Sequence, residues 1–213
     1  LNLRTIYVGV NKSDPNRKKN DFYPTAPIAT FILNKFSSIP DNVIEPCAGR
    51  GNISIELERC GKNVKSFDLN DYDNKLVDIT TEIDYLELPK QIGYDGCITN
   101  PPYHKNLPLK MLKKAIVEYD YVAFFLRLTF LEGKERGKFF REFPPTELII
   151  TSDRIRFHED IIEPIEKKDQ LGGMICYAWF IFDKNSKNET TKITWVTLVD
   201  QYDEWWQKYD SLK

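Results

Sequence analysis

Val43-Ile44-Glu45-Pro46-Cys47-Ala48-Gly49-Arg50-Gly51-Asn52 compresses a strand end, a glycine turn and a helix start into ten residues. Glycines let the backbone turn through positive φ and approach a ligand closely. The free N–H groups of the helix that follows then face that ligand as donors. Working outward, short apolar runs alternate with helical periodicity. Strands are expected at 43–45, 64–69, 97–99, 121–128 and 147–151. Helices are expected at 52–60, 107–119 and 132–143, with an earlier one capped by Thr25, carrying Pro27 in its first turn and closed by Pro40. The run at 121–128 is almost wholly apolar, as befits a strand covered on both faces. This rhythm predicts an α/β fold, a Rossmann-like doubly wound, mixed sheet of seven strands. Residues 175–183 and 193–199, joined by a polar turn, read as a C-terminal antiparallel hairpin.

Length agrees with one domain: 213 residues, with 1–20 as an N-terminal arm, 21–213 as the domain, and 158–172 as a candidate substrate-facing loop. Hydrophobic residues at 41% and charged residues at 29% give an ordinary globular profile. With Lys plus Arg at 30 and Asp plus Glu at 32, the net charge of -2 excludes attachment to nucleic acid by bulk charge alone. The total hides an asymmetry. Residues 41–100 hold 12 acidic and 6 basic side chains, whereas 104–156 hold 11 basic and 7 acidic. A small cation suits the first half and a phosphate-bearing partner the second.

No apolar run reaches the ~20 residues that span a bilayer, so no membrane partner is expected. The first residues show no secretory signal, and the absence of Met at position 1 suggests a trimmed start. Cys47, Cys60, Cys97 and Cys176 are scattered, and only His104 and His158 accompany them. No metal site is expected, and reduced thiols indicate a cytoplasmic protein.

A dinucleotide fingerprint would place glycine where Ser54 stands and apolar residues where Glu45-Pro46 stands. A carboxylate at the strand end repels a pyrophosphate and attracts an ammonium or sulfonium group. That favours S-adenosylmethionine over a nicotinamide dinucleotide, although the turn alone also reads as purely structural. Asp68 ends the next strand, 17 residues after Gly51, where an acid can accept bonds from ribose hydroxyls. A turn-forming carboxylate is the alternative there. Asp78 is a further candidate, for the adenine amino group of the cofactor.

Asn100-Pro101-Pro102-Tyr103 follows Cys97-Ile98-Thr99, at the carboxyl end of a strand where ligand crevices form. An aromatic exocyclic amine is a weak nucleophile because its lone pair is delocalised. Two fixed acceptors, the Asn100 side-chain oxygen and the Pro101 carbonyl, can grip both its N–H bonds. Prolines donate nothing, and Tyr103 offers a ring for stacking on a base. The other reading is a proline-rich turn.

The two motifs together resemble the class I S-adenosylmethionine-dependent methyltransferases of the amino-methylating, N-P-P-Y group, and small phage-type adenine-N6 DNA methyltransferases among them. The resemblance covers roughly 21–183 and includes Asp21-Phe22-Tyr23-Pro24-Thr25, Arg127-Leu128-Thr129-Phe130-Leu131 and Ala178-Trp179-Phe180. It implies Asn100, Pro101, Pro102 and Tyr103 as catalytic residues. It implies cofactor contacts at Tyr23, Thr25, Glu45, Pro46, Ala48, Gly49, Gly51, Asp68 and Asp78. The implied activity is methyl transfer to the N6 amine of adenine in DNA, in a bacterial or phage-infected cell, by direct displacement on a flipped-out base. RNA adenine is an alternative acceptor, protein glutamine a weaker one, and a silent cofactor-binding protein a third reading. Only 48 residues separate Gly51 from Asn100, and no dedicated recognition domain is evident. Lys105, Arg127, Lys134, Arg136, Arg154 and Arg156 are candidate phosphate contacts, with Phe130 or Phe157 lining a base pocket. Each cation also reads as an ordinary solvated charge. Trp195, Trp205 and Trp206 read as packing, and neither the motifs nor the composition fix an oligomeric state.

Overall fold

The structure, a computed structural model, describes residues 23–154 and 175–210. Eight strands form one mixed sheet: β1 (Asn42–Glu45), β2 (Asn63–Phe67), β3 (Ile79–Thr80), β4 (Gly96–Thr99), β5 (Tyr121–Arg127), β6 (Glu147–Thr151), β7 (Tyr177–Asp183) and β8 (Lys192–Val196). Among the described residues five helices flank them: α1 (Pro27–Phe36), α2 (Asn52–Arg59), α3 (Leu107–Glu118), α4 (Lys134–Glu142) and α5 (Leu198–Asp210). A 3-10 turn, Leu128–Leu131, follows β5.

The strand order is β3-β2-β1-β4-β5-β7-β6-β8. From β1 the chain winds outward through β2 and β3, then returns to β4 and winds the other way, all in parallel. The order therefore reverses between β1 and β4, and a crevice opens where the carboxyl ends of these two strands part. Glu45 ends β1, and Asn100 follows β4.

Two cores sandwich the sheet. On β5, Tyr121, Ala123 and Phe125 join one core with α1, α2 and α5. Val122, Phe124 and Leu126 join the other with α3 and α4. Alternation across the pleat thus explains why this central strand carries a continuous apolar run. Trp179 of β7 is fully buried and donates its indole N–H to the Ala29 carbonyl at 2.8 Å, tying α1 to the sheet.

Four expectations change. The sheet has eight strands rather than seven, because Ile79–Thr80 adds a two-residue edge. The C-terminal hairpin does not form: β7 inserts between β5 and β6, antiparallel to both, and β8 pairs in parallel with β6. Burial favours this, since β7 is buried at six of its seven positions and needs a neighbour on each edge. Thr25 does not cap α1. Ala26 stands at the N-cap without a side-chain bond, and the Thr25 hydroxyl is used elsewhere. Of the tail tryptophans, Trp205 is 1% exposed and packs, whereas Trp206 and, on the edge strand, Trp195 are exposed.

Candidate functional site

A cavity of about 540 Å³ occupies the crevice, and both sequence motifs line it. That size falls within the range of sites for small organic ligands, ~300–1,000 Å³. Its floor is the turn after β1. Gly49 and Gly51 take φ of 60° and 90°. The Gly49 N–H donates to Asp68 Oδ2 at 2.8 Å. Gly51 lies outside the lining; a Cβ there would meet Val77 Cγ2 at 2.6 Å, so its glycine serves turn geometry and close packing.

Glu45 is 1% exposed and still reaches the cavity. The Ser54 N–H, in the first turn of α2, donates to its Oε2 at 2.8 Å. The Ser54 hydroxyl bonds the same oxygen and also meets Ser66 Oγ at 2.7 Å. Both bonds fall on Oε2, which leaves Oε1 for the cavity. Burial holds the Glu45 carboxyl well above the usual carboxylate range, partly offset by Ser54. Asp68 is raised as well, again by burial, although the Gly49 and Asn70 N–H groups each donate to one of its oxygens. A carboxylate has about four acceptor positions, so Asp68 keeps capacity toward the cavity.

Asn100 forms the opposite wall. Its Nδ2 donates to Thr25 Oγ1 at 3.0 Å and to the Tyr23 carbonyl at 3.4 Å. The segment leading into α1 therefore fixes which way the Asn100 amide points. The Tyr103 hydroxyl lies 2.7 Å from Asn100 Oδ1 and 2.9 Å from the Phe125 carbonyl, and its single proton serves two acceptors. Tyr103 is thus not a free stacking platform. Its ring is turned inward, with the Arg127 guanidinium 4.8 Å from its centroid and Tyr177 edge-on at 6.1 Å. Burial raises the Tyr103 hydroxyl well above the ordinary phenol value.

Among the expected residues, Tyr23, Thr25, Glu45, Pro46, Ala48, Gly49, Asp68 and all of Asn100–Tyr103 are brought to one cavity. Asp78 is not: it is exposed just before β3 and lies outside the lining. The chain past β3 returns Asp84 to the rim instead, where its Oδ1 accepts the Leu86 N–H at 2.9 Å. Sequence reading missed Asp84 because a two-residue strand leaves no periodicity to place it against. The expected phosphate contacts also separate. Arg127 faces Tyr103, Arg154 is exposed beyond β6, and Arg156 and the 158–172 loop lie outside the described residues, as does Phe157. Lys105, Lys134, Arg136 and Phe130 meet at a second, smaller cavity.

Among the described residues, no cluster of His, Cys, Asp or Glu is placed to hold a metal ion, and no helix is long and apolar enough to cross a membrane. The donor set fits S-adenosylmethionine: one buried carboxyl with a free oxygen, a second carboxyl at the next strand end, and an acid at the rim.

No family model and no curated protein matches the sequence. Solved structures do match in fold. A structure assigned as a class I S-adenosylmethionine-dependent methyltransferase from Listeria monocytogenes superposes with a TM-score of 0.57 at 11% identity, over 89% of this chain and 73% of that one. The modification subunit of a type I restriction enzyme from Vibrio vulnificus YJ016 gives 0.57 at 12% identity, over 91% of this chain and 54% of the subunit. The chain thus spans about half the length of that subunit. A structure assigned as an RNA methyltransferase from Pyrococcus horikoshii gives 0.55 at 18% identity, over 79% and 90%. The chain has the Rossmann-like fold of class I S-adenosylmethionine-dependent methyltransferases.

Proposed function

We propose that this chain is an S-adenosylmethionine-dependent methyltransferase acting on the exocyclic N6 amine of adenine in DNA. The observation that carries this reading is the orientation of Asn100. Its amide nitrogen is engaged by Tyr23 and Thr25, which leaves its oxygen, bonded by the Tyr103 hydroxyl, as the acceptor for an incoming amine. An amine entering there donates to Asn100 Oδ1 and to the Pro101 carbonyl, which draws electron density onto the nitrogen. S-adenosylmethionine, when bound, supplies an electrophilic methyl group. Glu45 Oε1 provides a negative wall for its positive charge, and Asp68 holds hydroxyl groups beside the glycine turn. Tyr23, Pro46, Ala48 and Gly49 complete that side, with Asp84 in the role expected of Asp78. The Tyr103 hydroxyl gives up Asn100 Oδ1 when the amine arrives and keeps the Phe125 carbonyl.

Similarity to a restriction-modification subunit supports DNA as the acceptor. An RNA adenine is the second reading, favoured by the fold match to an RNA methyltransferase that this chain covers almost entirely. Labelled cofactor offered separately to DNA, RNA and protein pools distinguishes the acceptors, and mass spectrometry of nucleosides identifies the product. Asn100→Ala is expected to reduce transfer by about 10²-fold or more. Its cofactor affinity by calorimetry should stay within a few-fold of the parent, and full activity in this variant would overturn the assignment.

A further inference from the structure

We propose that the smaller cavity beside the Asn100–Tyr103 loop is a phosphate subsite for the backbone of the nucleic-acid substrate, with Lys105, Lys134 and Arg136 as its cations. The proposal rests on the nucleic-acid reading above and deepens it. The cavity, about 220 Å³, is smaller than a typical site for an organic ligand and of a size for a compact anion.

Position is the first argument. The stretch 104–109, which runs into the start of α3, is the wall between the two cavities: His104 and Leu107 line the larger, while Lys105, Asn106, Pro108 and Leu109 line the smaller. A nucleotide swung out of its stack brings its own flanking phosphates to the mouth of the pocket that takes the base. One turn of chain away is where such a phosphate would rest.

Charge is the second. Lys105 and Lys134 face this cavity with no ion-pair partner among the described residues, whereas Lys62, Lys75 and Lys114 each have one. The acid on the wall, Glu135, pairs with Lys138 at 3.7 Å. Arg136 is held in place: its Nε donates to the Glu132 carbonyl at 2.6 Å, and its guanidinium lies 5.1 Å from the Phe130 ring centroid. Cations gathered on one concavity repel one another until an anion enters. The start of α4 points the same way, since Gly133 caps it without a side-chain bond and leaves its first N–H groups as donors.

The test is fluorescence anisotropy with labelled adenine-containing DNA and RNA oligonucleotides across a salt series. It compares the parent, the double variant Lys105→Gln/Lys134→Gln, and Lys187→Gln as a control in the exposed β7–β8 connection. The double variant should bind about tenfold more weakly or worse, equally across sequences, with a salt slope reduced by about one. Lys187→Gln should match the parent, and cofactor affinity should be unchanged in all three. If the parent binds and the double variant keeps both its affinity and its slope, the subsite is overturned while the nucleic-acid reading stands. If the parent binds neither polymer at any salt, both fall. A slope lost only with RNA upholds the subsite and reassigns the acceptor.

Discussion

Glu45 holds its proton more tightly than an ordinary glutamate because burial disfavours its charge and only Ser54 offsets this. A cationic ligand favours the ionised form, so binding should release a proton from Glu45, and from Asp68, which burial raises in the same direction. Affinity for S-adenosylmethionine is therefore expected to rise with pH through and above the usual carboxylate range. Glu45→Gln should flatten that rise and cut affinity by about tenfold, readable by calorimetry in buffers of different ionisation enthalpy. A pH-independent Kd in the parent would contradict it. Tyr103→Phe removes the hydroxyl that competes for Asn100 Oδ1 and leaves the ring beneath Arg127. The expected outcome is a lower KM for the acceptor with an unchanged cofactor Kd, measured in steady-state assays; a raised KM would show that the hydroxyl serves the substrate instead. The place of Asn100 at the cavity was legible because the strand end and the motif lie within a few residues. The inward turn of Tyr103 was not, since Arg127 and Tyr177, far along the chain, impose it.

At the scale of elements, the helix after the glycine turn is anchored by a buried charge network. Glu56 on α2 is 3% exposed, lies 3.5 Å from Arg59, and is reached from α5 by Trp205 and Lys208. Burial, the dominant influence, pushes its carboxyl up to about 7. In the unfolded chain that group titrates near 4.5, so between these values the folded state binds the extra proton. The contribution of Glu56 is fully present below about 4.5 and is lost as pH rises through about 7, at most about 3 kcal/mol. Glu56→Gln should remove that part of the pH dependence in urea unfolding titrations between pH 4.5 and 8. An unchanged profile would mean the carboxyl titrates normally. The elements themselves were legible where periodicity or a breaker marked them: β6 falls on the expected 147–151, and α2 stops before Gly61. The two residues of β3 carry no period, so the return of Asp84 to the rim left no local trace.

Across the whole molecule, strand adjacency was the part that local sequence does not encode. Apolar runs announce strands but not their neighbours, and β7 finds both of its neighbours earlier in the chain, pairing with β5 across seven residues from Tyr121 to Arg127. This late strand is also tied to the helix that follows the site-lining segment. Trp179, the third residue of β7, is 0% exposed, with its ring centroid 4.9 Å from that of Phe125 and its indole N–H on Ala29 of α1. α1 is preceded directly by Tyr23 and Thr25, the residues that orient Asn100. Two substitutions separate packing from positioning. Trp179→Ala opens a cavity in the core and should cost about 3–5 kcal/mol, lowering Tm by on the order of 10 °C. Trp179→Phe keeps most of the apolar contact but removes the indole bond to the Ala29 carbonyl, which α1 itself still satisfies, a loss of about 0.5–1.5 kcal/mol. If β7 transmits order to the Asn100 wall, Trp179→Phe should also lower kcat, measured well below its melting transition, with acceptor and cofactor affinities nearly unchanged. A variant that melts earlier yet turns over at the parental rate would confine Trp179 to the stability of the sheet.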